Sequence, residues 1–250
     1  LNRGIRVLSV INARLALLLI IFVFVVGPTT FILEMGVASV SHIAQNMVKM
    51  FTWTDPLQRG DFVEQWTIFY LAWAIALGPF LGMFIAKISK GRTLREVIFG
   101  MMGWGSLGCS LFFIILGNYS LNLELSGQYP VVEHVNELGQ SSAIAAIIGI
   151  LPGGSFLLVF LAIIAIIFAA TTYDSASYSL AAGSTRYLKA DEHPSRNLRI
   201  YWAISMGLLP SALLFIGGLE PLKTASIMAS FPILIIYILL MFYIIRMLRE

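Results

Sequence analysis

The stretch 65-QWTIFYLAWAIALGPFLGMFIAKISKGRTLRE-96 decides the fold class. From Trp66 it carries enough consecutive apolar sequence to cross the ~30 Å hydrocarbon core of a bilayer. Apolar residues occupy every helical face, which a soluble surface helix avoids and a membrane-spanning one requires. Gly78-Pro79 interrupts it near its middle, and Lys87, Lys90, Arg92 and Arg95 close it. That basic knot reads as a cytoplasmic anchor, since Lys and Arg are retained on that side of a membrane.

The composition agrees with this reading. Of 250 residues, 58% are hydrophobic and only 12% charged, far from the soluble average, so the chain is expected to cross the membrane several times. A net charge of +3 could fit a nucleic-acid partner, but the basic residues lie in short clusters between apolar spans. A lone cysteine, Cys109, excludes an internal disulfide framework and a cysteine-based zinc site. The chain opens on Leu1, with a basic segment running straight into an apolar one and no signal-peptide cleavage pattern, so a longer parent protein is expected.

Six spans can be drawn, at about 15–33 (interrupted by Gly27-Pro28), 62–88, 97–116, 155–182, 198–216 and 222–248. The apolar run 143–182 is nearly twice too long for one straight crossing. Pro152-Gly153-Gly154 divides it, leaving a short interfacial helix before the fourth span. Arg3, Arg6 and Arg14 precede span one, and Arg186, Lys189, Arg196 and Arg199 join spans four and five. Arg246 and Arg249 close the chain. With the knot after span two, 13 of 16 Lys and Arg fall on one side, and only Lys49, Arg59 and Lys223 on the other. Both termini of the segment are therefore expected in the cytoplasm.

Between spans one and two, Val37, Val40, Ile43, Met47, Val48 and Phe51 recur at helical spacing among polar residues. The pattern fits an amphipathic helix on the outer interface, and equally a loop helix packed on the bundle. Residues 117–140 hold Glu124, Glu133 and Glu137 but no Lys or Arg, and are expected to form a solvated external loop.

Two stretches carry candidate chemistry. In span two, Trp66, Phe69, Trp73, Leu77, Phe80 and Phe84 follow in steps of three or four and share one helix face. Aromatic faces hold quaternary ammonium groups without a counter-charge. Periodicity alone favours ordinary packing and lipid contact, with Trp66 as an interface anchor. The Gly78-Pro79 break moves the balance towards a cavity, because freed backbone groups must be satisfied by protein or water. In span four, Thr171, Thr172, Asp174, Ser175 and Ser177 place polar groups close to the cytoplasmic end. Such oxygens suit a small hard cation, yet membrane-helix hydroxyls also bond back to their own carbonyls. Asp174 is harder to explain as packing, since a carboxylate within a span is costly.

Enzyme chemistry is not indicated. His42, His134 and His193 lie in three separate connections, and no zinc-protease, nucleophile-elbow or phosphate-loop motif occurs. Gly100, Gly103, Gly105 and Gly108 in span three are read as a close helix-packing face.

WTIFYLAW followed by GMFIAKISKGRTLRE closely resembles the signature of the betaine/carnitine/choline transporter family, and the likeness runs from NARLALLLIIFVFVVGPT to the last span. The resemblance implies an all-α membrane protein: the second half of a twelve-helix transporter with inverted five-helix repeats of the LeuT type. Residues 1–33 would be the last helix of the first repeat, 34–61 the external amphipathic helix and its loop, and 62–250 the second repeat. Substrate and ions lie near mid-membrane between such repeats. By resemblance, Trp66, Phe69, Trp73 and Leu77 line the substrate path. Phe168, Thr171 and Thr172 match the sodium-ligating positions of sodium-coupled members, and Phe80 matches a phenylalanine proposed near a second sodium site.

The family's large aromatics are replaced at Leu71, Ala74 and Leu77, so the resemblance does not fix glycine betaine as substrate. It implies symport of betaine-type solutes with sodium, by alternating access, in the inner cell membrane. No cofactor is implied beyond sodium as the coupling ion. A sodium-independent exchanger of the same family is the alternative, and a non-transporting sensor or assembly subunit is one of another class. The implied partners are a small-molecule substrate, the lipid bilayer, the N-terminal half of the transporter and two further copies in a homotrimer. The long basic tail of osmosensing members has no counterpart here.

Overall fold

The computed structural model describes residues 2–57, 60, 62–188, 192–217 and 220–247, and these are mostly helical, with no strand among them. The order is α1 (Asn2–Val26), α2 (Thr29–Thr52), α3 (Phe69–Ile88), α4 (Leu94–Phe112), α5 (Asn118–Leu125), α6 (Val131–Leu138), α7 (Gln140–Ile150), α8 (Gly154–Gly183), α9 (Arg196–Gly217) and α10 (Glu220–Met247). Wider π-helical turns lead into α3, at Val63–Ile68, and link α4 to α5, at Phe113–Gly117.

Among the described residues, five helical segments are long and apolar enough to cross a membrane: Val7–Val26, Val63–Ala86, Leu94–Leu125, Gly154–Gly183 and Pro221–Met247. They correspond to five of the six expected spans. The remaining expected span coincides with α9, which is not one of those five, and several of its side chains lie outside the description. Of the charges that set the expected orientation, Arg59, Lys189 and Arg249 lie outside the described residues, as do the side chains of Arg3, Arg6 and Lys87. At 30 residues, α8 is about 45 Å long, so it tilts or extends beyond the hydrocarbon core.

Three boundaries differ from those expected. The first span ends at Val26, not near 33, because Gly27 and Pro28 terminate α1 and α2 starts at once. The joint is fastened by the Gly27 N–H on the Val23 carbonyl (2.9 Å) and by the Thr29 hydroxyl on the Phe24 carbonyl (2.7 Å). Residues 117–140 are largely helix and not open loop, as α5 and α6 occupy most of them. Pro130 stands immediately before α6, where a missing N–H costs nothing, and Gly139 ends it at φ +83°. Third, Pro79 does not break α3, which continues on both sides of it. The ring removes only the amide that the Ile75 carbonyl would have accepted, a loss membrane helices tolerate.

The chain divides into two compact units. The first comprises Leu1–Met47 and Gly91–Thr172. Its core joins Leu19, Ile20 and Val23 of α1 to Ile32, Ile115, Tyr119, Leu123, Ile147, Leu157 and Ile164. Asn118 donates its amide to the Ile32 carbonyl (3.5 Å) inside this core, and Ile114 lies against Gly36, where a Cβ would stand 2.7 Å from its methyl. α4 starts with a capping box: the Thr93 hydroxyl accepts the Glu96 N–H (3.3 Å), and the Glu96 carboxylate accepts the Thr93 N–H (2.8 Å). The expected glycine packing face of α4 touches nothing among the described residues, since a Cβ at Gly100, Gly103, Gly105 or Gly108 would meet open space.

The second unit comprises Val48–Lys90 and Tyr173–Glu250, and its main packing is α3 against α10. Gly78 is the notch in that contact. A Cβ there would collide with the Tyr237 hydroxyl of α10, so only glycine admits the approach. α9 packs on α10 in turn.

Candidate functional site

Within the second unit, the aromatics of α3 form a continuous ladder. Phe62 stacks on Trp66 with ring centres 6.4 Å apart, and Trp66 stacks on Tyr70 at 5.9 Å with planes 13° apart. Tyr70 then meets Phe69 edge-on at 5.3 Å and Trp73 edge-on at 5.9 Å. These spacings are those of favourable aromatic pairs. Phe69 is half-buried, while Trp66 and Trp73 keep 42% and 43% of their surface exposed. Leu77 and Phe80 are half-buried further along the helix.

Tyr70 touches three of the other rings and is the centre of the ladder, yet it is absent from the stripe drawn from spacing. Counting Trp66, Phe69, Trp73 passes it over, although Trp66, Tyr70, Trp73 satisfies the helical period as well. The ladder starts on a π-helical turn, in which the Phe69 N–H reaches the Glu64 carbonyl five residues back. Such turns are frequent at functional sites of helical proteins. The Lys223 ammonium of α10 lies 5.9 Å from the Phe69 ring centre, within cation–π range.

Of the expected ion-site residues, Phe168, Thr171 and Thr172 lie in the first unit, on the middle of α8, and Phe80 lies in the second, on α3. Phe168 and Thr172 are exposed, and Thr171 is half-buried. Thr171 donates its hydroxyl proton to the carbonyls of Ile167 (3.1 Å) and Phe168 (2.9 Å). Thr171 and Phe168 are thus brought together through a carbonyl and a hydroxyl, two oxygen types that sodium accepts. Among the described residues no cluster of His, Cys, Asp and Glu could hold a metal ion.

Asp174 lies in the second unit together with its partner. Arg199 of α9 donates Nη2 to Asp174 Oδ1 at 3.0 Å, and its guanidinium lies 5.6 Å from the Tyr178 ring centre. The Tyr178 hydroxyl shares a 2.8 Å hydrogen bond with His193 Nδ1. Ten residues on from Asp174 and immediately past the end of α8, Ser184 accepts the indole N–H of Trp202 of α9 at 2.9 Å. Spacing could not have paired residues 25 positions apart.

A second histidine cluster lies in the first unit, where His134 bonds Tyr129 through Nδ1 and Ser142 through Nε2 (3.1 Å), tying α6 to α7. An apolar cavity of about 310 Å³ in the same unit lies between Leu18 and Phe22 of α1 and Phe156 and Phe160 of α8. None of the expected substrate or ion residues lines it, and its walls are almost wholly apolar.

The membrane-length apolar helices mark a multi-pass helical membrane protein. The family model for "BCCT, betaine/carnitine/choline family transporter" matches residues 1–250, and the chain belongs to that family. It is 34% identical over 251 residues to the uncharacterized transporter YeaV of Escherichia coli, covering all of this chain and 52% of that one. It is also 34% identical over 241 residues to a carnitine transporter of Acinetobacter baumannii, covering 96% of this chain and 44% of that one. The chain therefore spans about half the length of these relatives. Family membership places it among transporters and not among enzymes.

Proposed function

We propose that this chain is the C-terminal half of a secondary transporter that carries betaine-type solutes, carnitine among them, together with sodium. The aromatic ladder of α3 is the observation that carries the substrate class. Trp66 and Trp73 keep exposed aromatic surface on either side of Tyr70, and aromatic surface of this kind holds a quaternary ammonium that has no N–H to donate. The similarity to a carnitine transporter points to the same class.

Sodium is the coupling ion in this reading. Thr171 commits its proton to helix carbonyls, which is the state a cation-ligating hydroxyl needs, since a cation is met by oxygen lone pairs. Phe168 adds its carbonyl, Thr172 a second hydroxyl, and Phe80 belongs to a secondary ion position. Residues 62–250 act as the second five-helix repeat, with α9 as one of its five crossings, and both termini of the segment face the cytoplasm in the inner membrane. The N-terminal half of the parent protein supplies the opposite wall of the site, and amphipathic α2 contributes to a homotrimer. Sodium and substrate then favour the same arrangement of the two repeats, so each strengthens binding of the other by one shared factor.

Titration of the full-length protein with L-carnitine, followed by tryptophan fluorescence, tests this reading. Affinity should be higher in sodium than in an equal concentration of choline-free potassium buffer. Equal affinities in the two buffers would favour the sodium-independent exchanger, and sodium-dependent binding without flux would favour a sensor.

A further inference from the structure

Gly78-Pro79 stands within about one helical turn of the middle of the span Val63–Ala86, and Tyr237 near the middle of Pro221–Met247. A polar backbone group at that depth has no water to bond. Pro79 brings no amide, so the Ile75 carbonyl lacks the N–H that a regular helix would supply. It is an acceptor left open near the centre of α3.

The Tyr237 hydroxyl rests against Gly78, in the space where a side chain at that position would begin. A serine or threonine hydroxyl so placed on a helix reaches the carbonyls three and four residues back. Thr171 does this on α8, with bonds to Phe168 (2.9 Å) and Ile167 (3.1 Å). Counted back from Gly78, those carbonyls belong to Ile75 and Ala74. The Ala74 carbonyl is served by the Gly78 amide in the regular helix, whereas that of Ile75 is the one freed by Pro79. α10 therefore brings a hydroxyl donor to the open acceptor of α3. Among the described residues no hydrogen bond joins Tyr237 to Ile75 in this arrangement, in which α3 runs on past Pro79.

We propose that Tyr237 is the latch of a hinge in α3: when the helix bends at Pro79, the Ile75 carbonyl tilts outward and accepts the Tyr237 hydroxyl proton. Gly78 permits this, since no side chain separates the hydroxyl from the backbone of α3. The straight helix and the bent one are two settings, and the bend exchanges regular helix geometry for one hydrogen bond inside the membrane. The hinge lies between the aromatic ladder and the end of α3, so the arm 80–88 swings while Gly78 keeps its seat on α10. The proposal rests on the transporter reading for the use of this motion. A span that carries the substrate rings and bends just beyond them supplies an element with the two arrangements that alternating access needs.

The test is pulsed electron-spin resonance on the full-length protein in lipid nanodiscs, with Cys109→Ser and spin labels at Ile88 of α3 and Ile204 of α9, both exposed. A kink of ~20° acting on residues 80–88, about 14 Å of helix, displaces the label at Ile88 by about 5 Å. The parent should show two distances differing by up to about that much. Tyr237→Phe, which keeps the ring and loses the hydroxyl, should lower the ratio of bent to straight by about threefold, the scale of one hydrogen bond within a membrane. Pro79→Ala, which returns an amide to the Ile75 carbonyl, should remove the bent population, and adding Tyr237→Phe to it should change nothing further. A single distance in the parent, or a ratio that Tyr237→Phe leaves unchanged, overturns the proposal whether or not carnitine binds. L-Carnitine with sodium should shift the ratio in the parent. If it does not, while both variants behave as stated, the latch stands and the transport reading fails.

Discussion

Asp174 and Arg199 form a 3.0 Å ion pair between α8 and α9, and the guanidinium of the same arginine faces Tyr178. The carboxylate that looked most functional in span four is therefore first of all a structural tie. The pair is partly exposed, at 37% for Asp174 and 20% for Arg199, so its worth stays near that of a surface bridge, about 1 kcal/mol. Asp174→Asn and Arg199→Gln should each lower the melting temperature, and the double variant should lose less than the sum. A double-mutant cycle in detergent measures this coupling, and strict additivity would show that the two side chains act independently.

Gly78 should resist enlargement. Gly78→Ala drives a methyl into the Tyr237 hydroxyl and should cost about 1–3 kcal/mol, the usual scale of overpacking. Combining it with Tyr237→Leu should restore part of that loss. Thermal unfolding of the two variants and their combination decides the point; a Gly78→Ala protein as stable as the parent would show that α3 and α10 do not pack through this notch.

The aromatic ladder predicts a graded series. Trp73→Leu removes one exposed ring and should weaken carnitine binding by about threefold to thirtyfold, at roughly 0.5–2 kcal/mol per cation–π face. Tyr70→Leu should cost at least as much, because Tyr70 orients Trp66, Phe69 and Trp73 together. Affinities equal to the parent in both variants would reduce the ladder to packing.

For the ion, Thr172→Ala and Thr171→Val should raise the sodium concentration needed for half-maximal uptake several-fold, while Thr171→Ser, which keeps the hydroxyl, should not. Uptake by the full-length protein over a sodium series gives the answer. A sodium dependence that none of the three alters would remove these threonines from the ion site.

Much of this architecture is legible in the residues themselves. Apolar length gave the spans at 62–88 and 155–182 to within about two residues of the helices, because burial in lipid demands an unbroken apolar run. What failed was local. Pro79 reads as a break by the rules for soluble helices, whereas within a span there is no water to favour opening the backbone. Residues 117–140 read as loop from their acidic side chains, although Pro130 and Gly139 already mark the start and stop of α6. Thr93 and Glu96 spell a capping box that the basic knot around them concealed.

The site divides in the same way. Helical spacing placed Trp66, Phe69 and Trp73 on one face but selected Phe69 where Tyr70 joins the rings. Contacts between helices, such as Arg199 with Asp174 and Lys223 with Phe69, depend on packing that no spacing rule contains.

The most direct test of sodium-coupled transport is uptake of labelled L-carnitine into sealed vesicles containing the full-length protein, with and without an inward sodium gradient. Carnitine should concentrate above the external level only while the gradient lasts, and that accumulation should be lost when sodium is equal on both sides. Accumulation of the same size without the gradient, or none with it, would contradict the account.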